Sequence, residues 1–125
     1  MKLDRVIIKT IDYRKSFEFY HDTLGLRLKS SWQRSDSWGA LFFLGELFLE
    51  IIWFPEGKES ESCNYIPEHS KTDLLLQVSN IDALHTRLSS HTDLDVSELE
   101  DISWGYRAFS LYDPDHVKIV FAQPI

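Results

Sequence analysis

The chain has 125 residues and a formal net charge of −7, and 43% of its residues are hydrophobic and 26% charged. This length suits one domain or two half-size modules that share a core, and the composition argues against intrinsic disorder. Because phosphate binding needs a basic surface, the acidic balance predicts no nucleic-acid partner.

Cysteine content and hydropathy bear on the cellular compartment. The single Cys63 has no second cysteine with which to form an internal disulfide, so nothing indicates an oxidising environment. The most apolar window, 39–54, contains Glu46 and Glu50 and is too short and too charged to span a bilayer. The first strand pattern begins without a signal-peptide core. We therefore expect a cytoplasmic protein with no membrane partner.

The chain opens with a pattern typical of a strand followed by a helix. Alternation over 3–10 predicts a strand with Arg5, Ile7 and Lys9 on one face,. Asp12 is a suitable N-cap for a helix that Gly25 would end,. The apolar stripe of this helix, at helical spacing, is Tyr13, Phe17, Tyr20 and Leu24,.

Three strands complete the first half of the chain. They are predicted over 26–32, 40–44 and 47–54, and Gly45-Glu46 between the last two suits a type II′ turn,. Residues 55–70 are rich in polar residues, with Pro and Gly, and form a linker,. The sequence thus predicts a first module over about 1–54.

The second half, about 71–125, repeats this plan. Residues 73–80 predict a strand with Asp73, Leu75 and Gln77 on one face, and Ser79 or Asn80 caps a helix over 81–88,. Strands follow over 96–100, 106–112 and 117–122. The order βαβββ therefore occurs twice. This predicts an α+β fold with a curved mixed sheet, helices on one face and an open cleft on the other.

Two segments resemble motifs of the vicinal oxygen chelate superfamily, which includes glyoxalases, extradiol dioxygenases and bleomycin-resistance proteins. The first is Asp12-Tyr-Arg-Lys-Ser-Phe-Glu-Phe-Tyr20 with Leu24-Gly25, and the second is Trp104-Gly-Tyr-Arg-Ala-Phe109 before Asp113-Pro114-Asp115. Together they span nearly the whole chain. The resemblance specifies the fold more closely than the function.

The resemblance also implies where a metal would be held. Each module of metal-dependent members supplies one ligand from its first strand and one from its last, and these positions fall on Arg5, Glu50, Asp73 and Val120. Arg and Val offer no lone pair to a metal, which leaves only Glu50 and Asp73. We therefore expect a site without metal or other cofactor, in which Arg5 pairs with the carboxylates.

Aromatic residues make up 14% of the chain, which is a high share, and most of them, including Phe17, Tyr20 and Phe121, belong to the core,. We predict that aromatic side chains on the sheet face without helices line a cleft and stack against a ligand. Its aromatic candidates are Phe42, Phe48 and Tyr106, with Trp32, Trp38 or Trp104 at the rims. Its floor would carry Arg5, Glu50 and Asp73 together with the apolar Ile7, Phe48, Ile52 and Leu75.

Two functions fit these residues. The first is a small-molecule-binding protein that takes a flat aromatic or cationic ligand in a dimeric cleft, and the second is a glyoxalase- or dioxygenase-like enzyme with Glu50 as general base. The missing ligands at Arg5 and Val120 favour the first. A protein partner in place of a small molecule is a third possibility. The net charge disfavours a strongly anionic ligand, with Arg5 and Lys9 as a local exception. We also expect a homodimer.

Overall fold

The computed structural model describes residues 1–55 and 66–125, which divide into two compact units, Met1–Ile66 and Pro67–Ile125. The first unit contains β1 (Arg5–Lys9), α1 (Tyr13–Phe17), a π-helix (Glu18–Thr23), β2 (Leu28–Gln33), β3 (Trp38–Leu44) and β4 (Leu47–Trp53). The second contains β5 (Asp73–Gln77), α2 (Ile81–Ser89), β6 (Glu100–Ile102), β7 (Tyr106–Tyr112) and β8 (Lys118–Pro124). Cys63 and most of the predicted linker lie outside the described residues.

Each unit is built on one four-stranded mixed sheet. The strand order is β1-β4-β3-β2 in the first sheet and β5-β8-β7-β6 in the second. The first strand of each unit runs parallel to the last, and the other pairs are antiparallel. These sheets and their helices confirm the predicted α+β class with two βαβββ modules. None of the described helices has the length and apolar character needed to cross a membrane.

The first helix differs from the single α-helix predicted from its apolar stripe. The Asp12 side chain accepts a hydrogen bond from the Lys15 amide, as expected of an N-cap. After Phe17 the helix widens, and the Leu24 amide bonds to the carbonyl of Phe19, five residues back. This π-helical turn allows Phe19 and Tyr20, which are adjacent in sequence, both to be buried,. Gly25 follows with φ 75°, the left-handed conformation predicted for it,.

The core of the first unit lies between these helical turns and one face of the sheet. Phe42 is fully buried and lies 5.6 Å from Phe17 and 6.3 Å from Tyr20, measured between ring centroids. Trp38 packs edge-on against Tyr13. The placement of Phe42 and Trp38 at the ligand cleft was therefore wrong, because both side chains point toward the helix.

The second unit follows its predicted pattern except at β6. Asn80 caps α2 by accepting from the Ala83 amide, and Ile81 and Leu88 are buried. β7 has the predicted bounds, whereas the strand predicted over 96–100 was wrong and the ladder runs over Glu100–Ile102. Outside that ladder the Ser97 amide donates to the Ser110 carbonyl, so the approach to β6 follows β7 without pairing regularly.

The face of the first sheet opposite the helix contains one close contact with a glycine. The indole of Trp32 lies directly over Gly39, its partner across β2 and β3, so that a methyl group at this position would collide with the ring. Glycine is therefore required here by packing and not by its backbone conformation.

We expect Gly39→Ala to lower the free energy of unfolding by about 1–3 kcal/mol, the usual cost of overpacking. In a Trp32→Ala background the same substitution should cost much less, because the ring that it displaces is gone. Chemical denaturation of the four variants of this double-mutant cycle measures the coupling. An equal cost in both backgrounds would show that the indole is not the cause.

Candidate functional site

The two units place their predicted ligand positions in equivalent registers. In the first, Arg5 lies beside Phe48 and Ile7 beside Glu50 across β1 and β4. In the second, Asp73 lies beside Lys118 and Leu75 beside Val120 across β5 and β8. We call the sheet faces that carry these residues the first and the second open face. The internal repeat predicted from sequence therefore extends to the pairing of individual residues.

An ion pair occupies the first open face at the predicted position. Arg5 Nη1 lies 2.8 Å from Glu50 Oε1, and Glu50 is only 8% exposed. Arg5 Nε also donates to Asp4 Oδ2 at 2.9 Å. The hydrogen bonds to Asp4 and Glu50 raise the pKa of Arg5 above its usual range. A general base at Glu50 would have to act through its other oxygen, Oε2, since Oε1 is taken by Arg5.

These donors do not fit a divalent metal. Arg5 stays cationic and directs its N–H groups at Glu50, so the two first-unit positions together offer one shared carboxylate,. In the second unit the aliphatic Val120 pairs with Leu75, on the same face as Asp73, and supplies no donor atom. Within residues 1–55 and 66–125, no three His, Cys, Asp or Glu side chains are arranged to hold a metal ion.

A groove of about 330 Å³ lies on the second open face. Its apolar lining is aliphatic and aromatic, and its charged lining consists of two carboxylates and one ammonium group. The full set of lining residues is Asp73, Leu75, Ser97, Glu100, Ile102, Trp104, Ala108, Phe109, Ser110, Lys118 and Val120. The size and the mixture of apolar surface with few polar groups are typical of small-molecule sites.

The β6–β7 hairpin presents Trp104 to this groove. The Gly105 amide bonds to the Ile102 carbonyl, and Gly105 adopts φ 82°, which is the three-residue loop ending in a left-handed glycine,. Trp104 precedes this glycine at the tip and is 71% exposed. A large aromatic ring so little covered by its own chain offers a stacking surface to a ligand.

The predicted site residues thus fall into two groups within the described chain. Arg5, Ile7, Phe48 and Glu50 share the first open face, whereas Asp73 and Trp104 line the groove of the second unit. Tyr106 lies opposite Ile102 at the start of β7 and is not among the described groove-lining residues. The groove residues Glu100 and Lys118 were missed. Glu100 had been assigned to the end of a strand that in fact begins there.

The sequence motifs that carry the resemblance mostly have structural roles. Ser16 is fully buried, and its hydroxyl lies 2.9 Å from that of Thr10. Asp113 accepts hydrogen bonds from the amides of Asp115 and Val117 and so shapes the turn before β8. In the second motif Arg107 donates to Asp101 at 2.8 Å, and this bond lowers the pKa of the Asp101 carboxyl. Such motifs identify a fold because they build its caps and turns.

The duplicated βαβββ units, with a groove on an uncovered sheet face, define a two-module fold of the glyoxalase kind. Residues 2–121 match the Glyoxalase/Bleomycin resistance protein/Dioxygenase superfamily, and the chain belongs to it. The uncharacterized protein YraH of Bacillus subtilis (strain 168) is 30% identical over 121 residues, which cover 93% of each chain.

Solved structures share this fold at lower identity. A glyoxalase/bleomycin resistance protein/dioxygenase from Nocardioides superposes with a TM-score of 0.79 and 20% identity, covering 100% of this chain and 84% of that one. TnmS3, an antibiotic binding protein from Streptomyces sp. CB03234, gives a TM-score of 0.73 at 19% identity, covering 100% and 97%. At these identities the likeness concerns the fold alone.

The Arg5–Glu50 pair predicts unequal costs for removing its two members. Arg5→Met leaves a nearly buried carboxylate without its cation, so we expect the melting temperature to fall by about 5–10 °C. Glu50→Gln keeps an acceptor for Arg5 and should lower it by less than half as much. Thermal unfolding at neutral pH measures both, with Asp4→Asn as a control at the exposed partner. Equal, small shifts for Arg5→Met and Asp4→Asn would show that solvent already compensates Glu50.

Proposed function

We propose that the protein binds a flat, mostly apolar small molecule with a cationic or hydrogen-bonding group, in the groove of the second open face. The observation that carries this proposal is the 71% exposed Trp104 at the rim of a groove with an apolar lining. An aromatic ring at the mouth of a concave, largely apolar surface binds planar ligands by stacking, since an exposed ring face can contact a ligand without breaking contacts within the protein.

The charges of the groove support a cationic group on the ligand. The charged residues that line the groove are Asp73, Glu100 and Lys118. In the part of the chain that the structure describes, no ion pair joins Lys118 to either carboxylate. The net charge of −7 adds to the attraction for a cation,. Hydroxyl groups at Ser97 and Ser110 supply hydrogen-bonding partners in the same groove.

The fold is one on which at least one protein binds a small molecule. A structural relative over the full length of this chain, TnmS3, is an antibiotic binding protein. The replacement of two ligand positions by Arg5 and Val120 supports a role that uses no catalytic divalent metal,. In this proposal the protein sequesters its ligand without altering it, and Glu50 serves the ion pair.

We also propose that the protein acts as a homodimer. β1 and β5 are the outermost strands of their sheets, where pairing or packing with a second chain is a common way to cover an edge,. Sedimentation equilibrium at micromolar concentration should show twice the 14.7 kDa chain mass. A single species of one chain mass would refute this proposal.

The groove is tested with a matched pair of planar probes, the cation N-methylacridinium and the neutral acridine, by isothermal titration calorimetry. Trp104→Ala should weaken both probes, because both stack on the indole. Asp73→Asn should weaken only the cation, by about tenfold, as expected for the loss of one charge-assisted hydrogen bond.

Trp53→Phe is the matched control, since Trp53 belongs to the first unit and packs against Trp38. Probe binding that Trp104→Ala and Asp73→Asn leave unchanged would refute the groove as the site. An equal loss with Trp53→Phe would indicate general destabilisation, which thermal unfolding of the three variants detects.

A further inference from the structure

A β-bulge in the first unit places two cations on the first open face. The register of β2 against β3 pairs Leu28 with Phe42 and Ser30 with Leu41, so Lys29 is an extra residue. Leu28 therefore shares the covered face with the buried Phe42, and Arg27 and Lys29 emerge on the opposite side. Bulges re-aim side chains in this way and are frequent next to functional sites.

Both cations lie over aromatic rings of that face. The guanidinium carbon of Arg27 is 4.2 Å from the centroid of Phe43, and Lys29 Nζ is 5.0 Å from that of Phe48. The two rings are cross-strand partners, 5.5 Å apart. The rings hold the cations in place without neutralising them, because a cation–π contact leaves the formal charge available.

These charges have no acidic counterpart in the described part of the chain. No carboxylate among residues 1–55 and 66–125 forms an ion pair with Arg27 or Lys29. The acid of this face, Glu50, is already paired with Arg5. In a chain of net charge −7, two cations on adjacent aromatic rings with no ion-pair partner among the described residues are a local reversal of sign,.

We propose that the first open face binds an organic anion, a carboxylate or phosphate group attached to an aromatic or apolar body. The anionic group pairs with Arg27 and Lys29, and the guanidinium fork of Arg27 offers it two parallel N–H donors. The apolar body packs against the exposed Ile7 and the half-buried edges of Phe43 and Phe48. This goes beyond the proposed function, because it adds a second ligand class at residues of the other unit.

The test compares two anionic probes that differ only in the charged group, 2-naphthoate and 2-naphthyl phosphate, by isothermal titration calorimetry. The double variant Arg27→Gln/Lys29→Gln should weaken the tighter-binding probe by about tenfold or more. The preferred probe identifies carboxylate or phosphate as the ligand group. The double variant Arg14→Gln/Lys15→Gln, on α1, removes the same total charge from the helical side and is the matched control.

Retained affinity in the control and lost affinity in Arg27→Gln/Lys29→Gln would establish the site. Equal losses in the two double variants would reduce the effect to net charge and overturn the proposal, as would the absence of binding at millimolar probe. Binding that survives Arg27→Gln/Lys29→Gln but is lost with Trp104→Ala would also overturn it. That last result would leave the groove of the second unit intact as a binding site, so the two proposals fail separately.

Discussion

Each four-stranded sheet is covered by helix on one face only, and the other features of the molecule depend on this constraint. One face of the first sheet buries Phe42, Leu49 and Ile51 in the core of its unit. The alternation of side chains then assigns every second residue to the uncovered face. Charged and aromatic residues at those positions contribute little to the core of their own unit. They are therefore available for binding, and Phe48, Asp73 and Lys118 are found at such positions.

The two open faces have diverged within one repeated frame. The register of β1 with β4 matches that of β5 with β8, residue for residue. Yet the first face carries an ion pair and two cations on aromatic rings, whereas the second carries a groove with two carboxylates. Duplication preserved the backbone pairing, which the core requires, and left the chemistry of the uncovered positions free to differ. The fold therefore constrains where the protein binds its ligands more than what those ligands are.

The sequence predicted those features that rest on local physical chemistry. Asp12 and Asn80 cap their helices, Gly25 is left-handed, and β7 has its predicted bounds. Gly45 has φ 58° while Glu46 does not share its left-handed conformation, as a type II′ turn requires,. The Arg5–Glu50 pair was also predicted, but from the ligand positions that the family resemblance implies. Caps, turns and alternation are short-range signals, and a single sequence contains them.

Features that depend on packing between elements escaped prediction. The sheet face predicted for Phe42 was wrong, because alternation separates the side chains into two faces without saying which face the helix covers. The π-helical turn widens the helix after Phe17, and β6 begins four residues later than predicted, at Glu100. Packing sets both features, and local propensity does not. Glu100 was missed because its strand was placed too early, and the bulge that carries Lys29 has no local sequence signal,.

The bulge at Lys29 adds a positive charge to the first open face without disturbing the core. Lys29 is the extra residue in the pairing of β2 with β3, so its loss would leave Ser30 opposite Leu41 and Leu28 opposite Phe42 in a regular ladder,. Leu28 would stay on the covered face and Arg27 on the open one, and only the ammonium group over Phe48 would be lost. A deletion elsewhere in β2 would instead exchange the faces of the residues on one side of it. The bulge is therefore a place where one codon can be gained or lost and the charge of a binding surface changed while the register of the core is kept.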